Sequence, residues 1–164
     1  MLTVEGSQKA PALKFAIVVS KFNDFVTNRL QSGALEGLKA AGIDSDDICI
    51  IKVPGAFEIP FAAKEAASRG NVAAVICLGC LIRGATAHFE YIASACAHGI
   101  TDAAAATGIP MTFGVLTTNS VEEALERAAD GPGNKGWEAA SAAVEMATLQ
   151  RALRQPRTTN SVNV

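Results

Sequence analysis

Aromatic side chains are scarce in this chain of 164 residues: seven Phe, one Tyr and one Trp, about 5% of the whole. The interior must therefore be filled mainly by alanine, valine, isoleucine and leucine, which the 49% apolar content allows. Positive charge is not in excess either. Fourteen Lys and Arg against sixteen Asp and Glu leave a formal charge of −2, which removes the basic footprint of a nucleic-acid binder. No apolar run approaches the ~20 residues of a membrane helix. The opening Met1-Leu2-Thr3-Val4-Glu5-Gly6 lacks the charged and apolar regions of a signal peptide, so a soluble cytoplasmic protein of one domain is expected. Cysteines number only four. Cys77 and Cys80 have CxxC spacing, yet Cys77 falls inside a strand, where an odd separation sends side chains to opposite faces. No second CxxC or His pair completes a zinc set. Small buried thiols are the expectation, for Cys49 and Cys96 as well.

What is present is an alternation. Leu13 to Ser20 is a continuous apolar run suited to a strand buried on both faces. Asp24 to Ala41 has apolar residues at a helical period and stops at Gly42. A second strand spans Ile48 to Val53, and a second helix spans Phe57 to Ser68 with Pro60 in its first turn. Asn71 to Leu78 is a third strand, Thr86 to Thr107 a long helix, and Met111 to Leu116 a fourth strand. Ser120 to Ala129 is a short helix with Ser120 as N-cap and Glu123 at the capping-box position. Gly136 to Arg154 closes the fold, with Asn134 as cap. Such alternation implies parallel strands with helical crossovers, hence an α/β fold: a three-layer α/β/α sandwich around a four-stranded parallel sheet. Residues 1–154 form the domain. The segment 1–12 has no partner in the sheet and is expected to pack on a neighbouring subunit, and the polar tail 155–164 is expected to be disordered.

Open α/β sheets place ligands at the carboxyl edge of their strands. The turns there carry Phe22 after the first strand, Ala56, Phe57 and Glu58 after the second, the stretch Gly79 to Ile92 after the third, and Phe113 in the fourth. An aromatic residue beside a polar one recurs, which suits a flat polar heterocycle, stacked on a ring and hydrogen-bonded at its edge. The alternative is that Phe22, Phe57 and Phe113 are core residues. Gly79 and Gly84 have P-loop spacing, but Ala85-Thr86 stands where a Walker motif needs Lys. Without that lysine there is no reach to a terminal phosphate, which argues against an NTPase. The amides of Gly84, Ala85 and Thr86 remain suited to an anion such as phosphate, unless Thr86 only caps its helix. His88 falls in the first helical turn, where the dipole disfavours added positive charge, so its ring suits accepting and returning a proton. His98 lies about 80° further round the helix and carries no assigned task. A Cys80 nucleophile paired with His88 lacks an orienting third group. Arg127 is explained by an i, i+4 pair with Glu123. Lys135, at the start of the last helix, either pairs with Glu138 or is held there for an anion.

The segments Phe22-Asn23, Val53 to Pro60, Leu81 to Phe89, Phe113 to Thr117 and Asn134 to Ala140 resemble the signature segments of the 6,7-dimethyl-8-ribityllumazine synthase family, in order from about Leu13 to Arg154. The resemblance implies a flavodoxin-like fold and a transferase of riboflavin biosynthesis. The implied reaction, the penultimate step of the pathway, condenses 5-amino-6-(D-ribitylamino)uracil with 3,4-dihydroxy-2-butanone 4-phosphate. It implies that Phe22 stacks on the pyrimidine and that Ala56, Phe57 and Glu58 bind the ribitylaminouracil, with Glu58 taking ribityl hydroxyls. The backbone of Cys80, Leu81 and Ile82 would read the pyrimidine edge. Ala85, Thr86 and Arg127 would receive the phosphate, with Lys135 nearby, and His88 would donate and accept the proton. No metal or redox cofactor is implied.

By the same resemblance, Phe113 and Arg127 reach the site from a neighbouring subunit of a pentamer. The short link Asp130-Gly131-Pro132-Gly133 is of the kind found in shells of twelve pentamers, so an icosahedral shell of 60 subunits is expected, as is association with riboflavin synthase. Glu90 departs from the family pattern, in which Asp is commoner. Two other functions compete: a carrier protein that has lost catalysis, which would not need His88, Arg127 and Glu58 together, and a nucleotide binder, which would need the absent lysine.

Overall fold

In a computed structural model, residues 1–155 are described; most of the tail expected to be disordered, residues 156–164, lies outside the described residues. Four strands, β1 (Phe15–Ser20), β2 (Ile48–Val53), β3 (Ala74–Ile82) and β4 (Met111–Thr118), form one sheet in the order β2-β1-β3-β4. Every pairing is parallel, with Phe15 beside Ile48 and Ala74, and Val75 beside Met111. Three helices connect them, α1 (Asp24–Ala40), α2 (Ile59–Ser68) and α3 (His88–Thr107), and two more, α4 (Val121–Arg127) and α5 (Lys135–Arg154), follow β4.

Strand alternation divides the interior between two layers. Phe15, Ile17 and Val19 of β1, with Ala74, Ile76, Leu78 and Cys80 of β3, pack against α1, α4 and α5. Ala16, Val18, Val75 and Cys77 face the opposite way, against α2 and α3. The sandwich is therefore α1, α4 and α5, then the sheet, then α2 and α3. Cys77 and Cys80 fall on opposite faces, as their odd separation requires. Cys96 is buried, but Cys49 is exposed, because β2 is the sheet's edge strand and shows part of itself to solvent.

Several boundaries differ from the sequence reading. β3 runs on through Gly79 to Ile82, since β4 also continues and pairs with it as far as Ile82 beside Thr118. Gly79 reads locally as a turn residue, yet a Cβ there would stand 3.1 Å from Ile59 Cδ1, so its smallness serves the approach of α2. That helix begins at Ile59 after a separate turn, Ala56–Glu58. The helix expected from Thr86 begins at His88 with no side-chain cap, so Thr86 is not its cap. Ser120 does cap α4, accepting from Glu123 N at 3.2 Å, whereas the Glu123 carboxylate accepts from Asn119 N at 2.9 Å and not from the cap residue. The N-terminal segment has no strand, as expected, and within the chain it lies along α5: Ser7 N donates to Thr148 Oγ1 at 2.7 Å and Ser141 Oγ to Gln8 Oε1 at 2.7 Å.

Candidate active site

At the carboxyl edge of β1, β2 and β3 lies a cavity of about 590 Å³ lined by residues of three successive turns, among them Phe22, Ala56, Phe57, Glu58, Leu81, Ile82, Thr86 and His88. Backbone hydrogen bonds fix the turns to one another. Lys21 N donates to Val53 O at 2.8 Å and Phe22 N to Pro54 O at 3.0 Å, clamping the first turn on the second. Asn23 Nδ2 donates to Cys80 O at 2.9 Å, clamping it on β3. Glu58 Oε2 accepts from Gly55 N at 2.9 Å, which holds the carboxylate at the start of its turn. Phe22 and Phe57 stand 69% and 59% exposed. That removes the reading of these rings as core and leaves them as open faces for stacking.

His88 is the first residue of α3 and is exposed at the cavity. Ahead of it, the N–H groups of Gly84, Ala85 and Thr86 donate no hydrogen bond among the described residues. These free amides precede the helix and do not belong to its first turn, but they still offer donors to an anion. Gly84 and Thr86 line the cavity; Ala85 is exposed beside them. Cys80 does not line it. Its side chain is buried against α1 and α5, its thiol is pushed up to about 11 by desolvation, and its carbonyl is engaged by Asn23. A thiolate paired with His88 is thus excluded at neutral pH. His98 bonds within its own helix, Nδ1 lying 2.9 Å from Ser94 O.

The remaining predicted residues are elsewhere. Phe113, 48% exposed on edge strand β4, shares a cavity of about 370 Å³ with Arg127 and Lys135 against α5. Arg127 Nη1 donates to the Glu123 carbonyl at 3.0 Å and makes no ion pair with its carboxylate, a correction to the expected surface pair: that carboxylate is already held by Asn119 N. Lys135 Nζ is 2.7 Å from Glu138 Oε2.

Residues 12–151 match the family model described as 6,7-dimethyl-8-ribityllumazine synthase. The chain belongs to the lumazine synthase family. It is 51% identical over 147 residues to the 6,7-dimethyl-8-ribityllumazine synthase of Syntrophus aciditrophicus (strain SB), covering 90% of this chain and 96% of that protein. It is 52% identical over 149 residues to that of Chloroherpeton thalassium (strain ATCC 35110 / GB-78), covering 91% and 96%. In this lumazine synthase family chain, sequence reasoning assigned no role to the cavity residues Asn23, Pro54, Gly55, Phe89 and Ile92. Asn23 carried a readable signal. It is an Asn between a strand and a helix, and it takes the left-handed conformation, φ 58°, that asparagine tolerates better than most residues.

Proposed function

We propose that this enzyme condenses 5-amino-6-(D-ribitylamino)uracil with 3,4-dihydroxy-2-butanone 4-phosphate to 6,7-dimethyl-8-ribityllumazine, releasing phosphate and water, in a site shared between two copies of the chain. Membership of the lumazine synthase family supports the reaction. The observation that carries the site is the cavity in which Phe22, Glu58, Thr86 and His88 converge from separate turns. Phe22 stacks on the pyrimidine, Ala56 and Phe57 line its place, and Glu58 accepts from ribityl hydroxyls. The β3 end, Cys80, Leu81 and Ile82, supplies backbone groups to the pyrimidine edge. The free amides at Ala85 and Thr86 take the phosphate. Phe113, Arg127 and Lys135 complete the site from the neighbouring copy, which accounts for their lying in a separate cavity of one chain.

The amine of the pyrimidine adds to the ketone, water leaves to give an imine, phosphate is eliminated, and the ring closes with loss of a second water. Each step moves protons, and His88 at the cavity wall accepts and returns them. Alignment of the two reactants contributes more than the proton transfers, since effective molarities for well-oriented partners are large. The assembly we infer is a pentamer, with the short Asp130–Gly133 link favouring a 60-subunit shell able to associate with riboflavin synthase; mass measurement in solution distinguishes the two. Among the described residues no helix is long and apolar enough to cross a membrane, and the place of action inferred from the sequence is the cytoplasm. Mixing the purified protein with both substrates tests the reaction: lumazine fluorescence rising above the spontaneous rate is expected, and its absence refutes it.

A further inference from the structure

We infer that Arg83 is a positioning residue, a latch that holds the loop Gly84–Ala87 and the first turn of α3 against the end of the sheet, so that the free amides and His88 meet the phosphate substrate in register. The inference rests on the proposed reaction for its kinetic readouts. Arg83 follows β3 directly, and its N–H donates to Thr118 O at 2.8 Å, the last residue of β4. Its guanidinium reaches three further groups. Nε donates to Asn119 Oδ1 at 3.1 Å, Nη1 forms an ion pair with the Glu90 carboxylate, and the guanidinium carbon stands 4.5 Å above the Phe89 ring centroid.

Asn119 is itself anchored, its N–H donating to Glu123 Oε2 at 2.9 Å. Arg83 therefore ties the β4–α4 turn to Phe89 and Glu90 of α3, across a loop whose residues Gly84, Ala85 and Thr86 donate no backbone hydrogen bond of their own among the described residues. The Glu90 carboxyl is held below its usual range first by the hydrogen bond from Arg83. None of Arg83, Glu90 and Asn119 lines the cavity, whereas Gly84, Thr86, His88 and Phe89 do. The geometry is that of a brace behind the wall. A planar guanidinium suits it, because one side chain must hydrogen-bond in two directions and stack at once, which an ammonium does not do.

The test uses Arg83→Ala, Arg83→Lys, Glu90→Gln and the double variant Arg83→Ala/Glu90→Gln, each assembled as the wild type. Loss of the latch is expected to lower kcat/KM for the phosphate substrate roughly 10- to 100-fold, the scale of a misplaced reactant, while KM for the ribitylaminouracil stays within about twofold. Arg83→Lys should recover part of the loss. Glu90→Gln should weaken the phosphate substrate in the same direction, and the double variant should be little worse than Arg83→Ala alone, because both residues act in one brace. Inhibition by inorganic phosphate should weaken in parallel. Two kinetic results overturn the latch: Arg83→Ala kinetics equal to wild type, or a tighter phosphate substrate in Glu90→Gln, which would mean that the freed guanidinium binds phosphate itself. Amide exchange over residues 84–88, expected to accelerate in Arg83→Ala, reads the brace without turnover. A wild type that makes no lumazine refutes the reaction alone, and unchanged exchange refutes the latch alone.

Discussion

Single residues show most clearly where local reading succeeds. A phenylalanine on its own argues for burial, yet Phe22, Phe57 and Phe113 are all open to solvent; Phe22 and Phe57 stand in turns after their strands, as expected, whereas Phe113 lies within β4 beside Cys77 and not at its carboxyl end. His88 stands where its sequence position put it, on the first turn of α3 at the cavity. His88→Ala is expected to slow turnover by ~10²–10⁴-fold while leaving measurable activity, because aligned reactants remain; complete inactivity in a correctly assembled variant would contradict this. The thiols make a second case. Burial raises Cys80 and Cys96 from 9.0 to about 11, and Cys77 further still, with Cys96 adding to the effect on Cys77. A thiol whose folded value lies above its unfolded one stabilises the native state below the unfolded value and loses that contribution as pH rises. Melting temperature should therefore fall as pH climbs from about 9 toward 11, and replacing Cys96 with Ala should flatten the decline relative to wild type. At neutral pH a thiol reagent should modify Cys49 first, since it alone is exposed. Its exposure was not legible, because nothing local in Ile48 to Val53 announces an edge strand; strand order decides it.

At the level of elements, types and order were legible throughout, and the misses fall at boundaries where a distant partner decides. Gly79 stays in β3 because β4 pairs alongside it, and Glu123 turns to Asn119 because the preceding turn presents that amide. The start of α5 is the opposite case. Asn134 was readable as a cap, and its Oδ1 accepts from Gly136 N at 2.8 Å and Trp137 N at 3.3 Å. What the sequence did not disclose is its further reach: buried Nδ2 donates to Arg29 O at 3.2 Å and Ala128 O at 3.0 Å. This joins α5 to α1 and to the end of α4. Removing it in Asn134→Ala should cost about 3 kcal/mol, combining a lost cap with two unpaired carbonyls, read as a lower midpoint of denaturant unfolding with unchanged slope. The neighbouring Gly136 permits the close crossing itself, since a Cβ there would stand 1.9 Å from Leu30 O. The obstacle is backbone and has no rotamer to escape into, so Gly136→Ala should destabilise at least as strongly, by ~3 kcal/mol or more. An alanine variant as stable as wild type would show that α1 and α5 can separate freely.

For the molecule as a whole, the arrangement to be explained is that one chain carries the proposed substrate contacts in two cavities: Phe22, Glu58 and His88 in one, Phe113, Arg127 and Lys135 in the other. The fold assigns them there. The first set leaves the central strands β1 and β3 and strand β2, while Phe113 lies on β4 at the opposite edge of the sheet. No rearrangement of loops within one chain is needed if a neighbouring copy presents its β4 edge to this copy's cavity, and a head-to-tail contact of that kind gives a ring when the rotation between copies closes. The consequence is measurable by complementation. His88→Ala keeps an intact Arg127 half, and Arg127→Ala keeps an intact His88 half. In an equal mixture of the two chains, assembled together after unfolding, about a quarter of the interfaces should join one intact half to another, if copies assort at random around the ring. With the phosphate substrate held far below the raised KM of Arg127→Ala, the mixed assembly should then show about a quarter of wild-type turnover, well above the mean of the two variants assembled separately. Activity equal to that mean would place both halves in the service of a single chain and would remove the shared site. Arg127→Ala alone should raise KM for the phosphate substrate with little change for the pyrimidine, since the guanidinium is assigned to the anion. Together the two measurements separate the question of which residues bind phosphate from the question of which chain supplies them.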